Sequence, residues 1–85
     1  MTSTSENKNP VALITGAARR IGAEISRIFH NHGYDIAIHY NNSEHDAEAL
    51  AQELNSVRKD SAATFKAQLA NSSDIKAMVK KLLLW

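Results

Sequence analysis

The chain has 85 residues, with ten Lys or Arg against nine Asp or Glu and a formal net charge of +1. So balanced a charge gives no electrostatic reason to expect nucleic acid or a membrane surface as partner, and the length allows one domain. There is no cysteine, which excludes a disulfide framework, a thiol nucleophile and a Cys-ligated zinc.

Residues 1–9 hold no large apolar side chain apart from Met1 and are read as a disordered tail. This polar start lacks the apolar core of a secretory signal. No apolar run approaches the roughly 18 residues of a membrane span, so a cytoplasmic protein is expected. Pro10 opens the ordered part, since proline is tolerated at a strand's first position. Val11-Ala12-Leu13-Ile14-Thr15, a short apolar run stopped by Gly16, predicts a strand buried on both faces. Ile21, Ile25, Ile28 and Phe29 recur at helical spacing, and Gly33 stops that helix. Residues 34–40 (YDIAIHY) predict a second strand, broken by Asn41-Asn42-Ser43. Ser43 is the expected N-cap of a second helix, whose shared face is Ala47, Leu50, Ala51 and Leu54. Residues 61–69 (SAATFKAQL) predict a third strand. Asn71-Ser72-Ser73-Asp74 then caps a third helix with Ile75, Met78, Val79, Leu82 and Leu83 on its apolar face, running to the last residue.

The alternation β-α-β-α-β-α predicts an α/β fold, the N-terminal half of a Rossmann-type doubly wound parallel sheet. Right-handed crossovers put the first two helices on one face and start the third toward the other.

The chemically informative stretch is the first strand-to-helix turn, Thr15-Gly16-Ala17-Ala18-Arg19-Arg20-Ile21-Gly22. A helix N-terminus presents unpaired N–H groups and partial positive charge, which attract phosphate. Gly16 permits a tight turn, Gly22 lets the helix lie close to the strand, and Ala17 and Ala18 leave the backbone open. Arg19 and Arg20 add charge and bidentate donors. The same residues also fit an ordinary turn with a solvated arginine pair. In dinucleotide folds an Asp or Glu about 20 residues after the glycine turn binds the ribose 2′-hydroxyl. That count reaches Ile36, Ala37, Ile38, His39 and Tyr40, none of them acidic, followed by the neutral donors Asn41, Asn42 and Ser43. With the acid absent and two arginines near, the 2′-phosphate of NADP(H) is the better match.

The segments VALITGAARRIGAEISRIF, GYDIAIHYNNS and KAQLANSSDI resemble the N-terminal part of the short-chain dehydrogenase/reductase family, and within it the pteridine reductases, over roughly residues 10–80. The wider family usually carries Thr-Gly-x-x-x-Gly-x-Gly. Here Arg20 stands at the middle glycine with basic Arg19 before it, a pattern of the pteridine reductases, as is His39-Tyr40-Asn41-Asn42-Ser43. The resemblance implies that Arg19, His39, Tyr40, Asn42 and Ser43 surround the adenosine 2′-phosphate. It further implies that Arg20 reaches the pyrophosphate and, in that subfamily, lies beside the pterin, and that the Ile21 backbone faces the pyrophosphate. Gln68-Leu69 stands where the family usually has Asp-Leu or Asp-Val; the Gln68 oxygen can still accept from the adenine amino group, without charge. The implied activity is NADPH-dependent reduction of a dihydropterin or dihydrofolate.

That family's catalytic pair is Tyr-x-x-x-Lys. Tyr34 is followed four residues on by Ile38 and Tyr40 by Glu44, so the chain offers no proton donor of that kind. Two readings stay open. The chain is the cofactor-binding portion of a reductase, apparently truncated, whose complete form takes a pterin or folate substrate and forms a homo-oligomer. Alternatively it is a non-catalytic truncated product or a stand-alone nucleotide-binding half domain. A truncated chain is expected to self-associate through the apolar edge of residues 11–15. Other signals are weaker. His30 and His32, two apart on a helix end, do not converge on a metal and are expected at the surface. His45, among Glu44, Asp46 and Glu48, reads as a solvated helix start.

Overall fold

The computed structural model describes residues 9–85; the tail expected over residues 1–9 lies, Asn9 apart, outside the described residues. Its elements are β1 (Val11–Ile14), α1 (Arg20–Asn31), β2 (Asp35–Tyr40), α2 (Glu44–Val57), β3 (Ala62–Lys66) and α3 (Ser72–Leu84). The strands form one parallel sheet in the order β1-β2-β3. Ile14 stands beside Ile38 and Tyr40 beside Lys66, so all three strands end at the same rim. The alternation expected from the sequence is the one observed.

β2 is the central strand, and the two-residue period of a strand sorts its side chains between two cores. Ile36, Ile38 and Tyr40 join Ala23 of α1 and Ala47, Leu50 and Leu54 of α2. Ala37 joins Phe65, Ala67 and Met78 under α3. The first two helices therefore cover one face and the third helix the other. No described helix is long and apolar enough to cross a membrane.

Two apolar patterns are placed otherwise than the sequence suggests. β1 is covered on one face only. Ala12 and Ile14 are half-buried, while Val11 and Leu13 are exposed. Leu13 stands beside Ala37, on the face that α3 covers, but α3 lies over β3 and does not extend to β1. The repeat that announces α1 also faces mainly outward: Ile21 is 76% exposed and Ile28 51%. The helix seats instead on Ala23, Ser26 and His30. Small side chains let it approach the sheet closely, and the Ser26 hydroxyl is satisfied by donating to the Gly22 carbonyl at 2.8 Å.

Boundaries shift for local reasons. β3 is shorter than the run 61–69, because the Ser61 amide donates to Asn55 Oδ1 and the Gln68 amide to Asp74 Oδ2. Ser43 occupies the N-cap of α2 but makes no capping bond; Glu44 and Asp46 complement that helix end. Asn71 does cap α3, accepting from the amides of Ser73 (2.9 Å) and Asp74 (3.1 Å). α3 stops at Leu84, one residue before the last.

His30 corrects the surface reading. It is 4% exposed, with Nε2 2.7 Å from Ser61 Oγ. The Ser61 hydroxyl donates to the Arg58 carbonyl, which can only accept, so His30 Nε2 carries the proton toward Ser61. Arg58 closes this end of the sheet by donating to the carbonyls of His30 (3.2 Å) and Tyr34 (2.6 Å) and pairing with Asp35 (3.1 Å). Burial, and then the nearby Arg58 charge, hold His30 below the ordinary histidine range. The unfolded chain therefore binds the proton first as pH falls. The contribution of His30 is present above about pH 6.5 and declines below it. We expect the denaturant midpoint to fall between pH 7.5 and 5.5 more steeply in the native chain than in His30→Gln. Parallel pH dependences would remove this role.

Candidate functional site

The turn between β1 and α1 is shaped by its glycines. Gly16 has φ +61°, a left-handed conformation that costs glycine nothing, and a Cβ built there meets nothing within 4 Å. Gly22 is glycine for lack of space. A Cβ there would strike the Gly16 carbonyl oxygen and lie 2.8 Å from Ala17 Cα. The first turn of α1 is thus seated directly on the loop. Ala17 is fully buried beneath it, its amide donating to the His39 carbonyl at 3.2 Å. Arg20 has φ +45°, a conformation that costs a residue with a Cβ about 1–2 kcal/mol.

The N-terminus of α1 is uncapped. Arg19, extended at the N-cap, makes no side-chain cap bond, and the first turn holds no acid. Its amides are left to solvent or a ligand. The other two helices differ, with Glu44 and Asp46 in the first turn of α2 and Asn71 and Asp74 at the start of α3.

Beside this helix end lies a cleft of about 280 Å³ lined by Gly16, Ala18, Arg19, His39, Tyr40, Asn41, Asn42 and Ser43. Seven of these eight are site residues expected from the sequence, and none of the eight is acidic. The remaining candidates do not line it. Arg20 and Ile21 are exposed at the mouth of α1, and Gly22 lies under the turn. Gln68 and Leu69 are exposed beyond the end of β3.

Three groups set the electrostatics. Arg19 Nε is 3.3 Å from Asp46 Oδ2, with the two side chains 72% and 48% exposed. So exposed a pair contributes about 0–1 kcal/mol, and an incoming anion can displace the carboxylate. The sequence shows Asp46 only as a residue of a helix's first turn; its reach to Arg19 depends on how α2 packs beside α1. Tyr40 is 9% exposed, and burial, with Glu44 and Glu48 nearby, raises its phenol above the ordinary tyrosine value. It stays neutral at physiological pH. His39 is 4% exposed and both ring nitrogens are engaged by backbone, Nδ1 with the Gly16 amide at 3.2 Å and Nε2 with the Ala67 carbonyl at 2.9 Å. Among the described residues no group of three His, Cys, Asp or Glu side chains gathers for a metal. A donor-rich cleft without acids, beside an uncapped helix N-terminus, is chemically suited to a phosphate-bearing ligand.

Comparison with known proteins gives a consistent picture. A family model described as short chain dehydrogenase matches residues 10–83. Pteridine reductase 1 of Leishmania tarentolae is 46% identical over 68 residues, covering 80% of this chain and 24% of that protein. The 3-oxoacyl-[acyl-carrier-protein] reductase FabG of Staphylococcus aureus is 38% identical over 72 residues, covering 85% of this chain and 29% of that protein. An uncharacterized oxidoreductase, YmfI, of Bacillus subtilis is 37% identical over 62 residues, 73% of this chain and 26% of its own length. The chain spans less than a third of the length of each of these relatives.

The two turn glycines separate strain from collision. Gly16→Ala is expected to cost about 1 kcal/mol, since only φ resists it. Gly22→Ala forces the helix off the turn and is expected to cost more, about 2–3 kcal/mol. Chemical denaturation of both variants checks the order; equal costs would mean the close seat is not constraining.

Proposed function

The chain belongs to the short-chain dehydrogenase family, and on that premise we propose that residues 10–85 form an NADP(H)-binding unit of a pteridine reductase-like enzyme. The observation that carries this reading is the acid-free cleft joining Arg19 and the Asn41-Asn42-Ser43 donors to the Gly16 turn. An NAD-selective site would set a carboxylate at the end of β2 to meet the ribose 2′-hydroxyl. Here that position offers Asn41, Asn42 and Ser43, with Arg19 across the cleft, a set that suits a 2′-phosphate.

Arg20 and the Ile21 amide, at the uncapped start of α1, are assigned to the pyrophosphate. Gln68, exposed beyond β3, is assigned to the adenine amino group through its side-chain oxygen, with Leu69 beside it. A bound nicotinamide cofactor supplies the hydride. The chain's own part is to bind and orient the adenosine end, and we assign it no catalytic residue.

A pterin or folate is the proposed substrate of the complete enzyme. The 46% identity to a pteridine reductase supports this, together with Arg20 at the middle position of the glycine pattern. A 3-oxoacyl substrate is the second reading, supported by the 38% identity to FabG. Oligomeric assembly is also a proposal. β1 lies at the end of the sheet order, its residues Val11 and Leu13 are bare, and the outward α1 residues Ile21 and Ile28 add apolar surface.

Titration with NADPH and NADH tests the cofactor assignment. We expect NADPH to bind at least about tenfold more tightly, the scale of one charge-assisted phosphate contact. Arg19→Ala should narrow that gap, and Asp46→Asn, which frees Arg19, should widen it. Equal affinities for the two cofactors would overturn the 2′-phosphate reading. Sedimentation of the chain is expected to show species larger than a monomer; a monodisperse monomer with a cooperative melt would count against edge association.

A further inference from the structure

We propose that His39 is a positioning residue, a fixed-tautomer bridge that holds the Gly16 turn and the end of β3 at a set separation and so pre-forms the adenosine side of the cleft. The inference rests on the reading of that cleft as a nucleotide-phosphate site. The resemblance implies a different role for His39, contact with the 2′-phosphate. Its geometry turns both ring nitrogens toward backbone instead.

The backbone chemistry assigns the tautomer. An amide N–H can only donate and a carbonyl can only accept. Gly16 N–H therefore donates to Nδ1 at 3.2 Å, and Nε2–H donates to the Ala67 carbonyl at 2.9 Å. One neutral form of the ring, protonated on Nε2, satisfies both bonds. The His39 carbonyl accepts from Ala17 N–H at 3.2 Å, so this residue holds two consecutive amides of the turn. On the other side, Ala67 is gripped twice, its carbonyl by the His39 ring and its amide by the Tyr40 carbonyl at 3.1 Å.

The bridge therefore spans from the phosphate turn to the residue before Gln68, the proposed adenine contact. The ring is 4% exposed, and its bond to Ala67 is buried away from water, while the bond to Gly16 is part-buried beside the cleft. Because the Gly16 and Ala17 amides are drawn inward, the donors left for an anion are those further along, at the mouth of α1.

Three substitutions separate the two arms. His39→Asn keeps an acceptor near the Nδ1 position but is too short to reach Ala67. His39→Gln places an amide donor near the Nε2 position but offers Gly16 no acceptor. His39→Phe fills the volume and makes neither bond. Amide hydrogen exchange of the full chain, without ligand, is read over residues 15–21 and 66–69 against the strand core 36–38. We expect His39→Phe to speed exchange at both outer segments, with the strand core unchanged. His39→Gln should release residues 15–21 and His39→Asn residues 66–69. Affinity for adenosine 2′,5′-bisphosphate, the probe, should fall about tenfold in His39→Phe, in line with the loss of one or two buried hydrogen bonds.

Native exchange and affinity in His39→Phe would overturn the bridge. So would identical losses in all three variants, which would make His39 a core-filling residue only. If the native chain binds no bisphosphate while the exchange pattern holds, the phosphate reading falls and the bridge stands.

Discussion

The contact on which the arrangement turns is the one that Gly22 makes with the carbonyl of Gly16, where no Cβ fits. It brings the first turn of α1 down onto the end of β1, and the consequences spread from there. A helix held that close must put small residues inward near the turn, where it buries Ala23 and Ser26, and the larger His30 is buried only in its last turn. Its larger apolar side chains are displaced to the flank, which is why Ile21 and Ile28 are exposed. The same approach leaves the uncapped helix end opening beside the rim of β2, where the cleft forms. The positive φ of Arg20 belongs to this geometry as well. Glycine, the residue usual at that position in the family that the chain resembles, would adopt such a backbone without strain. The arginine accepts the strain and brings a guanidinium to the helix mouth.

Two buried histidines organise opposite ends of the sheet. At the end where the strands finish, His39 links the Gly16 turn to Ala67. At the end where they begin, His30 meets Ser61, and Arg58 gathers the carbonyls of His30 and Tyr34. Both rings satisfy polar groups that no strand or helix ladder can reach, and a buried polar group left unpaired is costly. The two differ in what surrounds them. Burial and the Arg58 charge disfavour a charged His30, whereas His39 is fixed by one donor and one acceptor of the main chain. One end of the sheet is closed by these bonds and the other is shaped into a cleft.

Charge is distributed around that cleft with some tension. Its lining is free of acids, yet Asp46 reaches Arg19 from the first turn of α2, and Glu44 and Glu48 lie near Tyr40. Glu44 and Asp46 stabilise the start of α2, and Asp46 also pairs with the largely exposed Arg19 side chain. Because the Arg19–Asp46 pair is exposed, it is weak enough to exchange for a more strongly charged partner.

The sequence by itself determined the order of elements, the parallel sheet, the glycine turn and most residues of the cleft. Those features depend on short-range chemistry. Gly16 stops an apolar run, Asn41-Asn42-Ser43 breaks a strand, and parallel strands joined by helices bring their ends to one rim. Tertiary structure alone decided which apolar residues are covered. The spacing of Ile21, Ile25 and Ile28 announces a helix but not the side it seats on, since that depends on the close approach at Gly22. Likewise, two histidines two residues apart look alike in sequence, yet His30 is buried against Ser61, which lies 31 residues away, and His32 is exposed. The role of His39 and the reach of Asp46 are of the same kind. Each depends on partners distant in the chain, Gly16 and Ala67 for one and Arg19 for the other, and no local pattern encodes that separation.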